Sequence, residues 1–329
     1  MPQRPPVNPK NISSIRKAFR LAETDGDFFP AVYIIDPVSE CNLKCVMCPN
    51  GRMSNENYGK ISISLFSDIV SEISPYCEFL MLYWMGEPLL HPELAEILEI
   101  ARSQIRGNIV LSSNMTIYDE RTYASICENV DVVLCCIDRW NSVAYERIRV
   151  GAKFDEVVKN TERLIELRKK RGEADIIVKA LDLKIDSPEF KEFELYWKAR
   201  GARAMLAWLN DWAGEMPGVR NAASIPLPTA SDRRGACSDI WFKMPINWKG
   251  EVQMCCFDWN YRHAVDSSRA RVDGVLGCWH SNFMSALRSK HIIGDWACNS
   301  LCKSCTTPGT REEFEAYVNF GEDSYFAIF

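Results

Sequence analysis

Between about Ala31 and Trp208 the chain alternates short apolar runs with amphipathic stretches, the pattern of βα units that build a parallel sheet. The runs Ala31-Ile35, Phe79-Trp84, Asn108-Ser112, Val130-Ile137, Asp175-Leu181 and Arg203-Trp208 predict six strands. Stretches near Ser64-Ile73, Pro92-Ser103, Asp119-Cys127, Asp155-Lys170 and Pro188-Arg200 predict the helices between them. The expected fold class is therefore α/β, a partial (β/α)6 TIM-like barrel. In such sheets the chemistry gathers at the C-terminal ends of the strands, because the loops there vary while the barrel holds them. After residue 212 the alternation fades and Trp, Cys and Gly accumulate, which predicts a small appended domain. The expected division is 1–30 as an N-terminal extension, 31–212 as the barrel and 213–329 as the second domain.

Composition narrows the class. Hydrophobic residues make up 47% and charged residues 25%, the balance of an ordinary globular protein. A net charge of -5 argues against broad nucleic-acid binding, which needs a basic face. No signal-peptide core and no apolar run of roughly 18 residues is present, so the expectation is no membrane partner and a cytoplasmic location. In that reducing compartment the fourteen cysteines read as metal ligands, reactive thiols or buried hydrophobes, not disulfides.

Three of them stand out. Cys41, Cys45 and Cys48 follow the first predicted strand at C-x3-C-x2-C spacing, and the next cysteine is Cys77. Soft thiolates select iron–sulfur clusters or zinc, and a closed structural site takes four of them. Three suggest a 4Fe-4S cluster with one iron left for a ligand that is not protein. A zinc knuckle completed from afar, or three buried thiols, are the alternatives.

The second predicted strand runs into Trp84-Met85-Gly86-Glu87-Pro88-Leu89-Leu90, which puts a flexible backbone and a carboxylate at the barrel mouth. Together the cysteine loop and this turn resemble the radical S-adenosylmethionine (SAM) superfamily, with Met85 replacing the first glycine of its Gly-Gly-Glu-Pro element. The resemblance implies that SAM chelates the open iron, that Met47 lies near the adenine, and that Gly86 and Glu87 meet the SAM ammonium. Ser113 and Asn114 of Ser112-Ser113-Asn114-Met115 resemble the family's Thr-Asn-Gly turn and would face the SAM carboxylate or ribose. Met115 stands where glycine is usual. Asp138, closing Leu134-Cys135-Cys136-Ile137-Asp138, resembles an aspartate near bound SAM, with helix capping or a surface role as the alternative. Cys135 and Cys136 are expected in the core.

Towards the C-terminus lie Cys237, Cys255, Cys256, Cys278, Cys298, Cys302 and Cys305. The segment from Ile246 to Cys255 reads as a β-hairpin turning at Lys249-Gly250. Cys237, Cys255, Cys302 and Cys305 then form a four-ligand set, with zinc as the physical competitor. This half resembles the SPASM and twitch domains, which implies one auxiliary 4Fe-4S cluster. By strand alternation Cys256 would face away from Cys255, either as a packed thiol or as a hydrogen-atom donor to a substrate radical.

The resemblance extends to members that dehydrogenate or epimerise cyclitols and amino sugars of aminoglycoside type. It implies a 5'-deoxyadenosyl radical that takes hydrogen from a small polyhydroxylated substrate, with Cys256 favouring epimerisation over oxidation to a ketone. An electron donor such as flavodoxin or ferredoxin is the implied partner. Asp182, Asp186, Asp211 and Glu215 are candidate contacts for a cationic amino sugar, and Trp208 and Trp212 for stacking on a sugar. Modification of a peptide or protein side chain is a further reading, against which the 40 residues before Cys41 leave little for a peptide-recognition domain. A non-catalytic metal scaffold is the last.

Overall fold

The computed structural model describes residues 6–171, 174–181, 184, 186–207, 209–222, 235–265 and 274–305. Asp182 and Trp208 lie outside the described residues, as do parts of the C-terminal third. Strands β1 (Val32–Ile35), β2 (Phe79–Met81), β3 (Asn108–Ser113), β4 (Val132–Asp138), β5 (Asp175–Leu181) and β6 (Arg203–Ala207) fall where the apolar runs place them. Between them run α2 (Ile63–Ile73), α3 (Leu94–Gln104), α4 (Glu120–Asn129), α5 (Ser142–Ile148), α6 (Phe154–Arg171) and α7 (Pro188–Arg200), after an N-terminal α1 (Pro9–Arg20). All seven residues of β4 are buried, as expected of a central strand covered on both faces. Local chemistry fixes the helix ends: Ser187 caps α7, Pro188 opens it, and Gly201 closes it in the left-handed region at φ +92°.

The sheet has a seventh member. β7 (Lys243–Ile246) lies parallel to β1, giving the order β6-β5-β4-β3-β2-β1-β7, an open parallel sheet. The C-terminal third therefore completes the barrel sheet as well as following it, adding a seventh strand to the six expected. Local patterning misses this because the strand pairs with a partner some two hundred positions earlier. The hairpin survives in reduced form: Ile246 and Val252 make an antiparallel bridge around Asn247-Trp248-Lys249-Gly250, with Gly250 at φ +80°.

The N-terminal segment is built into the same body. Glu78 accepts from the N–H groups of Val7 and Asn8 at 2.7 and 2.9 Å, which fixes the entry to α1. Arg288, fully buried in the helix Asn282–Ile292, donates to the carbonyls of Ile240, Thr24 and Trp279 at 2.9, 3.0 and 3.2 Å. Its guanidinium also lies 4.3 Å from the Trp279 ring centre.

Below the first loop, Asp36 is fully buried at the end of β1. Burial pushes its carboxyl up to about 7, against the lowering effect of the Tyr261 hydroxyl, which donates to it at 2.5 Å, and of the Gly86 and Met85 N–H groups.

Two outcomes are expected. Arg288→Met leaves three buried carbonyls without their donor and costs roughly 3 kcal/mol in urea denaturation, an unchanged midpoint being the contrary result. Asp36 holds its proton in the folded chain up to about pH 7 but loses it near the ordinary carboxylate value of 3.8 when unfolded. Stability contributed by this group is thus present at low pH, declines as pH rises across that window by up to about 1.4 kcal/mol per unit, and levels off above it. Asp36→Asn should flatten that slope; parallel wild-type and variant curves would refute the assignment.

Candidate active site

The cysteine loop follows β1 and is locked onto the β2 turn. Asn50 is buried and its side-chain amide donates to the carbonyls of Ser39 and Met85 at 2.7 and 2.8 Å. Glu87 N–H donates to Glu40 O at 2.9 Å. A Cβ on Gly86 would stand 1.8 Å from Val38 O and 2.6 Å from Glu40 O, so only glycine permits this approach.

The sequence-predicted set converges here. Cys41, Cys45, Met47, Cys48, Gly86, Glu87, Ser113 and Asn114 all line one cavity of about 240 Å³ at the C-terminal ends of the strands. Burial pushes the Cys41 thiol up to about 11 and the Cys45 thiol up to about 12. Loading a cluster therefore means displacing protons from these thiols. Backbone N–H groups of Leu43 and Asn50 approach the sulfurs of Cys41 and Cys48 at 3.5 Å each, ready to support negative charge there.

Glu87 is buried, which raises its carboxyl. Opposing this, Asn114 N–H donates to Oε2 at 2.7 Å, and Ser113 Oγ and Leu89 N–H donate to Oε1 at 2.8 and 3.1 Å. Ser113 and the Asn114 backbone thus hold Glu87 in place. The Asn114 side chain donates to Asn42 Oδ1 at 3.0 Å, tying the third loop to the cysteine loop. Met115 adopts the left-handed conformation a glycine would favour, at φ +58°, while Ser113 Oγ accepts from its N–H and Asn160 donates to its carbonyl.

Asp138 is not itself on the cavity lining. A register irregularity lies between Cys136 and Asp138, and Asp138 sits at φ +60°, buried behind the cavity wall. It neither caps a helix nor lies on the surface: its Oδ2 accepts from Arg149 Nε at 2.5 Å. Arg149 in turn lines the cavity and reaches Cys45 Sγ at 3.6 Å. The sequence reading missed Arg149, whose one signal is its place in the loop after β4, just past the short α5. Cys135 is buried as expected, but Cys136 lines the cavity, with Ser112 Oγ 3.4 Å from its sulfur.

The second thiol set also converges. Cys237, Cys255, Cys302 and Cys305 line a separate cavity of about 30 Å³ beside Phe257, His291 and Trp296. That is room for a water or two, so the walls would part to admit a cluster. Cys237 N–H donates to His291 Nδ1 at 3.4 Å, which leaves the ring proton on Nε2, 3.4 Å from Cys302 Sγ. Among the described residues no three His, Cys, Asp or Glu side chains draw together tightly enough to grip a single ion. Four thiolates on one zinc, at ~2.3 Å from the metal, would. As soft donors, both thiol sets suit iron–sulfur ligation.

Cys255 and Cys256 stand in a turn rather than a strand, so alternation does not part them. Their mutual hydrogen bond raises the Cys255 thiol and lowers that of Cys256. Cys256 is absent from the lining of both cavities; its sulfur lies 4.0 Å from Asp239 Oδ2, and its carbonyl accepts from Trp84 Nε1 at 2.7 Å. Cys278 is buried and Cys298 exposed, and neither lines either of these two cavities. The expected acidic contacts do not gather either. Asp211 is buried and accepts from Gly214 N–H, Glu215 pairs with Arg262, and Asp186 is exposed. Trp212 does line the main cavity and donates to Met47 O at 3.0 Å.

No helix among the described residues is long and apolar enough to cross a membrane. The family model of the radical SAM superfamily matches residues 35–184, and that of the SPASM iron–sulfur cluster-binding domain matches residues 237–306. A probable GTP 3',8-cyclase of Methanococcus maripaludis strain C5 is 31% identical over 130 residues, 39% of this chain and 43% of that protein. The match thus spans less than half the length of this curated relative. Among solved structures, BtrN in complex with AdoMet and 2-DOIA superposes with a TM-score of 0.59 at 16% identity, covering 87% of this chain and 97% of BtrN. Streptococcus suis SuiB bound to S-adenosylmethionine gives 0.63 at 14%, covering 94% and 77%. At these identities the superpositions speak for the fold. The two domain matches bring with them SAM, a 4Fe-4S cluster and auxiliary iron–sulfur ligation, and the chain carries a radical SAM domain followed by a SPASM domain.

Proposed function

We propose that this radical SAM enzyme abstracts hydrogen from a hydroxyl-bearing carbon of a small sugar- or cyclitol-sized molecule and completes its oxidation to a carbonyl. The observation that carries this reading is the single cavity in which three thiols, the oriented Glu87 carboxylate and further unclaimed space adjoin. Cys41, Cys45 and Cys48 would hold the SAM-binding cluster, and Cys237, Cys255, Cys302 and Cys305 the auxiliary one. When bound, these groups would supply a 5'-deoxyadenosyl radical for hydrogen abstraction and an acceptor for the electron left on the substrate, whose hydroxyl proton passes to water.

The chain's own part is orientation. Glu87, fixed by Ser113, Asn114 and Leu89, would accept from the SAM ammonium, and Gly86 brings that carboxylate against the cysteine loop. Met47 borders the same space, beside the expected adenine position. Arg149, neutralised by Asp138, sets a fixed positive charge beside Cys45. Trp212 of the main cavity and Phe257 of the four-thiol cavity meet edge to face with ring centres 6.2 Å apart, joining the two sites through aromatic contact. A reductant such as flavodoxin or ferredoxin supplies electrons. Oxidation displaces epimerisation as the favoured outcome because the Cys256 thiol points toward Asp239. The fold shared with BtrN, whose structure contains 2-DOIA, supports a small-molecule substrate; SuiB, also solved with precursor peptide SuiA, keeps peptide modification as the competing outcome of the tests.

After anaerobic reconstitution and reduction, wild type should release 5'-deoxyadenosine, and Cys41→Ala, Cys45→Ala or Cys48→Ala should abolish that release. Cys237→Ala should lose about half the iron while retaining SAM cleavage. Cleavage that survives Cys41→Ala, or is missing from wild type, would defeat the assignment. Turnover of a cyclitol and sugar-acid panel in D2O should give a trappable carbonyl with no deuterium on carbon. An unoxidised product carrying one deuterium would return the reading to epimerisation, and Cys256→Ala would then be compared with Cys136→Ala to identify the donor.

A further inference from the structure

Away from the cysteine loop, the main cavity is bounded by a row of polar side chains on neighbouring strands. Tyr83 follows β2, Ser112 lies on β3, Cys136 on β4 and Lys179 on β5, and Cys136 and Lys179 are paired in the β4–β5 register. Lys179 is half-buried, and its side-chain ammonium forms no hydrogen bond or ion pair with any described residue. The two hydroxyls are little better provided. Ser112 Oγ meets a thiol, and Tyr83 OH meets the Met81 thioether at 3.5 Å. Sulfur is a weak acceptor, so both O–H groups keep most of their donor capacity. Burial pushes the Tyr83 phenol up, which keeps its proton in place.

The same cavity has little to offer a cation. Among the described residues Glu87 is the one carboxylate on its lining, and its oxygens already take three donors on the cysteine side. Arg149, the other cation, is spoken for by Asp138. Among the described residues the far wall is thus donor-rich and acid-free, with one ammonium charge at its β5 end. An amine brought here would meet like charge, whereas an oxyanion would gain a charge-assisted hydrogen bond and two neutral donors.

We infer that the substrate presents an oxyanion, a carboxylate or a phosphate, to Lys179. This rests on the reading of the cavity as the substrate site and names the class of molecule it takes: an anionic sugar or cyclitol derivative in place of an amino sugar. Ser112 and Tyr83 complete the cradle, and Lys179 acts as a specificity-determining residue that fixes which carbon faces the cysteine loop.

A matched ring series tests it: glucose, glucosamine, glucuronate and glucose 6-phosphate, titrated calorimetrically into reconstituted holoenzyme with SAM present. Glucuronate, glucose 6-phosphate or both should bind at least about tenfold more tightly than glucose, with glucosamine weakest, and the tighter of the two identifies the oxyanion. Lys179→Met should erase that preference, Lys179→Arg should largely keep it, and Lys249→Met, at an exposed site elsewhere, should leave it intact. Preference for glucosamine, no preference in wild type, or a preference that survives Lys179→Met would overturn the inference. SAM cleavage by wild type, measured separately, tells whether any failure lies with the oxyanion or with the enzymatic reading itself.

Discussion

Everything in the site depends on how closely two loops approach each other. The cysteine loop and the Gly86 turn are held at backbone contact by a missing Cβ, by the doubly bonded Asn50 amide and by the Glu87–Glu40 backbone hydrogen bond. None of these is a large energy alone, since a hydrogen bond is worth about 1 kcal/mol net. Together they leave the two loops no independent motion. That is why a carboxylate and three thiols can share one pocket although the thiols follow β1 and the carboxylate follows β2.

A consequence is that the buried charges are organised outward from this contact. Glu87 is stabilised by neutral donors, and Asp138 by Arg149, so each ionisable group near the thiols is compensated locally. Lys179, across the cavity, has no such partner among the described residues. A buried or half-buried charge without a partner costs stability and persists where something else supplies the partner. Among the described residues, the contrast between compensated and uncompensated charge marks off the cysteine side of the cavity from the proposed substrate side more clearly than any single distance.

Much of this was legible from residue order. The strand runs, the helix spacings and the eight cysteine-loop, turn and β3 residues found together on the cavity are all short-range patterns, and short-range patterns survive folding. What escaped is non-local or depends on one φ angle. β7 joins β1 across most of the chain. The irregularity before Asp138 turns that carboxylate toward Arg149, whose helix is only seven residues long. Cys136 faces the cavity where alternation gave no reason to choose it over Cys135. The acidic residues after the late strands were legible as charges but not as already satisfied ones; Glu215 is occupied by Arg262 and Asp211 by its own turn.

β1 acquires its two neighbours at very different moments of synthesis. β2 is available soon after, but the opposite edge of β1 is bare until Lys243–Ile246 leaves the ribosome. Until then the strand that launches the cysteine loop is an unpaired template, open to the edge-to-edge association that natural sheets avoid. The SPASM half is thus also a cover for the nascent barrel, and a chain cut before β7 would be expected to aggregate before it could be assayed.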